Sequence, residues 1–236
     1  MIMKKSFCIY SIVLLLSTLI VSGCGIGLLS MEEDNKKIEQ SKSVADGKFG
    51  EGDIDGKVEK RPPLPPTEKH SMALENTVLY FMTPQMELLP GPKDIPEELE
   101  KYLSKWNSCY GTKNNIYFLA MGYSYNVKEI EKETGVPFHP DLENGLKLAV
   151  EGIDSNMLTR LHITSINDKT LWKRDGKELT GNCDLGVGGG ARINCNIDGV
   201  AFSQGGEMWC VIVFYKSFDK DAERAKNLII NSIEIK

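Results

Sequence analysis

Residues 207–216 read EMWCVIVFYK. From Met208 to Tyr215 no charge interrupts the run, and neither a period of two nor one of 3.6 separates an inner face from an outer one. A β-branched and aromatic segment that is apolar on both faces fits a central strand covered from both sides. A sheet with layers above and below it is therefore the frame into which the remaining segments must fit.

The stretch ahead of it carries more strand signals with turn residues between them. LTRLHITSI (158–166), KTLWKR (169–174) and ARINCNIDGVAF (191–202) each alternate or carry β-branched residues. After it, DKDAERAKNLIINSI (219–233) predicts a helix with Ala222, Ala225, Leu228, Ile229 and Ile233 turned inward. Further upstream, NTVLYFMTP (76–84) reads as a strand stopped by Pro84, and NIYFLAMGYSY (115–125) as another. Residues 93–108, KDIPEELEKYLSKWNS, predict an amphipathic helix. Asp94 is placed to cap it, Pro96 lies in the first turn, and Leu99, Tyr102, Leu103 and Trp106 fall at helical spacing. HPDLENGLKLAVEGID (139–154) puts Leu142, Leu146, Ala149, Val150 and Ile153 on one stripe behind Asp141, with Gly145 weakening the helix. Strands outnumber helices and follow one another directly. The prediction is an α+β domain: an antiparallel sheet of about five to seven strands with helices packed on it.

The amino-terminal part of the chain is different in kind. Lys4 and Lys5 precede Phe7 to Ile20, a run without charge, and Val21-Ser22-Gly23-Cys24 closes it. This is the layout of a secretory signal, and VSGC resembles the bacterial lipoprotein signal, with an aliphatic residue, two small residues and the cysteine to be modified. The resemblance implies cleavage after Gly23 and a diacylglycerol thioether on Cys24. Two or three acyl chains, at about 0.8 kcal/mol per buried methylene, hold a protein stably on a bilayer. The competing readings are an uncleaved span, for which Ser6 to Gly23 just reaches the required length, and an ordinary cleaved signal with free secretion. Gly25, where an Asp would retain an enterobacterial lipoprotein in the inner membrane, resembles the outer-membrane class and implies a periplasm-facing location in a host with two membranes.

Gly25 to His70 then contains 18 charged residues among 46, several glycines and Phe49 as its only aromatic. Such composition predicts a disordered tether, stiffened at RPPLPP (61–66) by polyproline II geometry. The chain thus divides into a signal (Met1–Gly23), a lipid-anchored tether (Cys24–His70) and one globular domain (Ser71–Lys236).

In the order of its elements the domain resembles the PsbP-like group. The shared features are a strand ending in TP, a helix behind Pro96, a mid-chain helix, a meander, the tryptophan-bearing strand MWCVIVFY and the terminal helix AERAKNLIINSI. The group includes photosystem lumen subunits and small bacterial envelope lipoproteins. The resemblance implies an α/β/α sandwich and an assembly or interaction role without catalysis. It carries over no catalytic residue.

Residue chemistry points the same way. The net charge of −5, or −7 once Met1–Gly23 is removed with its two lysines, gives no basic surface for nucleic acid. The segment GVGGGA (186–191) contains G-x-G-x-x-A, but a dinucleotide site needs a helix after the glycines and here RINCNID follows. A hairpin tip is the better reading, and no cofactor is expected. His70, His139 and His162 have no companion at metal-ligand spacing, so no metal is expected either. His139, Asp141 and Glu143 lie close in sequence, with Asp141 better read as a helix cap. Tyr123 and Tyr125 could line a binding face, although strand packing is the commoner use of such residues. No nucleophile elbow, C-x-x-C pair or H-E-x-x-H occurs.

With Cys8 and Cys24 set aside, Cys109, Cys183, Cys195 and Cys210 remain in the exported part. Spacing alone leaves all three pairings open, as well as four reduced thiols. A hairpin centred near Gly189 would set Cys183 directly opposite Cys195 as a disulfide, which leaves Cys109 with Cys210 as the weaker second pair. The functional expectation is a membrane-anchored envelope lipoprotein with a non-catalytic domain that binds an envelope protein or surface component. The alternatives are a small-ligand carrier, with a pocket between the sheet and the Leu99/Trp106 helix, and, less favoured, an envelope hydrolase or thiol-exchange enzyme.

Overall fold

Residues 207–216 form the middle strand of a seven-stranded antiparallel sheet. The computed structural model describes residues 66–236 apart from 92–94, 96, 98, 114, 154–156, 172–173 and 187–189. The signal, Cys24, and the tether up to residue 65 lie outside the described residues.

In chain order the elements are β1 (Thr67–Ala73), β2 (Val78–Pro84), β3 (Leu89–Pro90), β4 (Leu103–Lys113), β5 (Ile116–Tyr125), α1 (Val127–Thr134) and α2 (Leu142–Glu151). They continue with β6 (Leu158–Leu171), β7 (Arg174–Gly186), β8 (Arg192–Gln204), β9 (Glu207–Lys216), α3 (Lys220–Ser232) and β10 (Glu234–Ile235). The large sheet has the order β3-β4-β5-β9-β8-β7-β6, and a small sheet has the order β1-β2-β10. Every pairing is antiparallel. This is the α+β class that the consecutive strand signals predict.

Alternation along β9 explains why it is apolar throughout. Met208, Cys210, Ile212 and Phe214 belong to one core, with Tyr117, Leu119 and Met121 from β5 and with Leu146, Ala149 and Val150 from α2. Trp209, Val211 and Val213 belong to a second core on the other face. They pack with Phe118 and Ala120 of β5, Leu79 and Phe81 of β2, and Ala222, Ala225 and Ile229 of α3. The large sheet is thus the middle layer, with α2 on one side and α3 plus the small sheet on the other. Each fully buried Leu, Ile or Phe contributes roughly 1.5–3 kcal/mol, so neither layer can leave without exposing a strand meant to be covered.

The helix signals at 139–154 and 219–233 are met. The side chain of Asp141 accepts from Asn144 N, and that of Asp219 accepts from Asp221 N and Ala222 N, as side-chain caps do. On α3 the inward set takes Ile230 in place of Leu228.

Among the described residues of 93–108 the expected helix is not formed. One turn survives, with Tyr102 N and Leu103 N both bonded to Leu99 O, and Leu99 and Leu103 are both buried. From Leu103 the chain is strand and pairs along β5 to Lys113↔Ile116, with an irregularity between Leu103 and Lys105. Helical spacing at Leu99, Tyr102, Leu103 and Trp106 was compatible with both outcomes, and the pairing available along the whole of β5 decides the contest. The signals at 158–166 and 169–174 largely belong to one strand, β6. The polar segment 174–186 is a full strand, β7, and VKEIEKET (127–134) is a helix. β1 starts at Thr67, four residues before Ser71.

Candidate functional site

Cysteine, carboxylate and histidine side chains are where chemistry would reside, and the fold distributes them unevenly. Gly186 pairs with Arg192 across the glycine-rich turn, and counting back along β7 and β8 makes Cys183 and Cys195 register partners. Both are 1% exposed. Burial pushes each thiol up to about 12, with the neighbouring Cys195 and Asp184 adding to the effect at Cys183. The four described cysteines are unbonded.

Cys109 and Cys210 are held apart. Cys109 partners Ala120 on β5, and Ala120 in turn partners Val211 on β9, so a whole strand lies between them. They also face opposite layers. Cys210 sits in the α2 core, whereas Cys109 packs on the α3 side, its Sγ 3.3 Å from Met72 Sδ. Strands two apart are roughly 9–10 Å distant, beyond the reach of a disulfide. The second pairing is therefore corrected: these two cysteines cannot join in this fold. Burial alone raises both thiols to about 12.

The polar group that the sequence did not reveal is Glu207, at the first position of β9 and 1% exposed. Its Oε1 accepts from Glu75 N, Asn76 N and Ser124 Oγ, each at 2.9 Å, and from Asn76 Nδ2 at 3.3 Å. Its Oε2 accepts from Thr77 Oγ1 at 2.6 Å, and Thr77 Oγ1 itself accepts from Trp209 Nε1 at 2.8 Å. Burial raises the carboxyl, but donors from Thr77, Asn76, Ser124 and Glu75 outweigh it and hold Glu207 below the ordinary glutamate value. The arrangement clamps the β1–β2 turn of the small sheet onto the end of the central strand. A carboxylate so fully engaged is a structural anion. The only sequence trace of it is one acid opening an otherwise apolar run.

The histidines stay apart. His70 on β1 bonds Thr83 Oγ1 at 2.8 Å and stacks on Phe81. Desolvation lowers its pKa, against the pull of Glu68. His162 lies on β6 opposite Asn182, and His139 precedes α2. Among the described residues no group of three His, Cys, Asp or Glu side chains is placed to hold a metal ion. At the glycine-rich turn β8 follows directly, so the helix that a dinucleotide pyrophosphate needs is replaced by a strand.

Tyr123 is buried and Tyr125 half-buried. They form an aromatic row with Trp106 and Phe138, with centroid separations of 5.8, 6.4 and 5.0 Å along Trp106–Tyr123–Tyr125–Phe138. Trp106 stands on β4, so the pocket imagined beneath a Leu99/Trp106 helix has no such helix to roof it. Nε1 of Trp106 and Oγ of Ser108 are buried without a hydrogen-bond partner among the described residues.

No protein-family model matches the chain, and no curated protein matches it. Among solved structures it is similar to LpqN of Mycobacterium tuberculosis, a protein involved in cell envelope biogenesis. The identity is 10% and the TM-score 0.36, over 72% of this chain and 91% of that one. At that TM-score the likeness carries no inference about either fold or function.

Proposed function

We propose that the chain is a lipid-anchored protein of the bacterial cell envelope, whose α+β domain works by binding another envelope component and not by catalysis. The observation that carries this is VSGC at 21–24, behind two lysines and a charge-free run and ahead of a highly charged segment. Apart from the segment behind Pro96, where the expected helix gives way to a strand from Leu103, the order of elements is similar to the PsbP-like group of assembly and interaction proteins, and that supports a binding role. So does the fate of the buried titratable groups. Glu207 is saturated with donors, and four thiols raised to about 12 are poor nucleophiles at neutral pH. Among the described residues, which do not include Ser6 to Gly23, no helix is long and apolar enough to cross a membrane.

The test is metabolic labelling with an alkynyl fatty acid. The natural chain should take up the label and shift to the mature size, and Cys24→Ala should do neither. Labelling that persists in the variant would remove the lipoprotein reading. The binding role has a separate test. Photo-crosslinkers spread over the domain surface should converge on one reproducible envelope component, and adducts scattered over abundant membrane proteins would count against it.

A further inference from the structure

Phe218 is fully exposed, at 104% of its reference area, and its φ is +63°. It occupies the third position of the turn Lys216-Ser217-Phe218-Asp219, closed by Asp219 N bonded to Lys216 O. A positive φ at that position calls for Gly or Asn, and a bulky side chain there is an outlier. The neighbours hold the turn in place. Lys216 N bonds Asn115 O, Ser217 N bonds Asn194 O, and Asn115 Nδ2 bonds Asp219 Oδ2 at 2.9 Å. Asp219 also caps α3. The turn therefore presents a phenyl ring to solvent on a braced and unfavourable backbone, a combination that folding alone does not call for.

The place where the chain enters the domain lies at the same end of the large sheet. Pro66 O accepts from Gln85 N. Two residues on, Glu87 O lies against Gly111, where a built Cβ would come within 2.7 Å of it. Gly111 is two residues from Lys113, which pairs with Ile116, and Ile116 pairs with Tyr215 at the start of the Phe218 turn. Leu89, another exposed large apolar residue, pairs with Tyr110 near this end. The far end of β5, where α1 begins, is about 30 Å away by strand rise.

We infer that the Phe218 turn is a membrane-contact point, inserting its phenyl ring into the interfacial region of the bilayer to which Cys24 is anchored. This rests on the lipid-anchor reading. A single ring binds a bilayer weakly by itself, but a tether leaving from the same end holds it at high effective concentration against the surface. The end can settle on the lipid without the domain turning over. Lys216 and Lys220 are exposed on either side of the ring, while Asp219 is engaged in its cap and Asp221 pairs with Arg224. With a net charge of −7 once Met1–Gly23 is removed, the chain as a whole gains nothing from anionic lipid, so the contact is apolar and requires no anionic headgroup.

The experiment uses the full lipidated chain in phosphatidylcholine vesicles, with and without brominated acyl chains, at low and high salt. Phe218→Trp is compared with Val136→Trp, an exposed position beyond the far end of β5, after subtraction of the emission of the natural tryptophans. The added emission of Phe218→Trp should be blue-shifted and lose intensity in brominated vesicles irrespective of salt, and that of Val136→Trp should not change. An unquenched residue 218 on a protein that floats with the vesicles overturns the contact and leaves the anchor standing. A chain with natural Cys24 that carries no lipid and does not float overturns both. A benzophenone at 218 that forms protein adducts in cells instead of lipid adducts assigns the turn to a protein partner and overturns the inference.

Discussion

Cys183 on β7 and Cys195 on β8 are direct register partners, 1% exposed each, on the side of the sheet that α2 covers. Opposed residues on neighbouring antiparallel strands lie within disulfide reach. Closing the short loop between them should add roughly 3 kcal/mol. Burial that lifts both thiols to about 12 leaves almost no thiolate in the folded protein. The bridge should therefore form during folding in an oxidising compartment and only slowly afterwards. Non-reducing peptide mapping of the exported protein should show Cys183 linked to Cys195, whereas folded, reduced protein in a glutathione redox buffer should oxidise far more slowly than protein refolded in it. A Cys183 found linked to Cys109 or Cys210 would contradict the register.

Glu207 makes an acid-dependent prediction. Its folded pKa lies below the unfolded value, so its contribution to stability is fully present above the unfolded pKa and is lost as pH falls through the folded one. Glu207→Gln keeps the shape but sets an amide among donors, and should cost about 2 kcal/mol at pH 7. As pH drops from 7 toward 3 the natural protein loses this advantage and the variant does not, so their urea midpoints should converge. Asp184 and Asp219 are also held below the ordinary aspartate value, and comparing the two proteins at each pH cancels their titration. A gap of constant size across the range would show that the carboxylate charge is not what holds the β1–β2 turn.

The elements legible in the sequence are those whose pattern is decided locally. β9 admits no exposed face, α2 and α3 carry both stripe and cap, and the glycines fix the β7–β8 register. What was not legible depends on partners. The segment 103–113 has helical spacing and becomes a strand because β5 offers a full ladder. β7 places only Gly176, Leu179, Cys183, Asp184 and Leu185 in the buried class over thirteen residues, so its polar surface hides the strand. Helix α1 buries little beyond Ile130 and Thr134. Glu207 was missed because its meaning lies in backbone groups some 130 positions earlier.

The start of the domain can be located by proteolysis. β1 begins at Thr67, and its hydrogen-bonded partner β2 lies in the second core. The composition of residues 25–65, charged and almost without aromatics, predicts ready cleavage there. Limited digestion should leave a resistant fragment beginning at or just before Pro66 and ending at Lys236. A first stable fragment beginning inside β2 or later would show that β1 is not part of the cooperative unit.

Gly122 on β5 is the register partner of Trp209, and the indole lies against it. A Cβ built at Gly122 would stand 2.5 Å from both Cε3 and Cζ3 of the indole. Trp209 has little freedom to yield, since it is 1% exposed and its Nε1 is fixed to Thr77 Oγ1, the group that also holds Glu207. One methyl group should therefore strain the second core and loosen the clamp on the small sheet together. Gly122→Ala should lower stability by about 1–3 kcal/mol, the usual range for overpacking a filled core, and should shift the fluorescence of Trp209. Gly199→Ala provides the comparison. Its Cβ would meet Leu146 and Ile212 side chains at 3.3 and 3.4 Å, contacts that side-chain adjustment can relieve. A smaller loss is expected there, with Trp209 emission unchanged. If the two variants lose equal stability and neither disturbs the indole, the contact between Gly122 and Trp209 does not organise this face of the sheet.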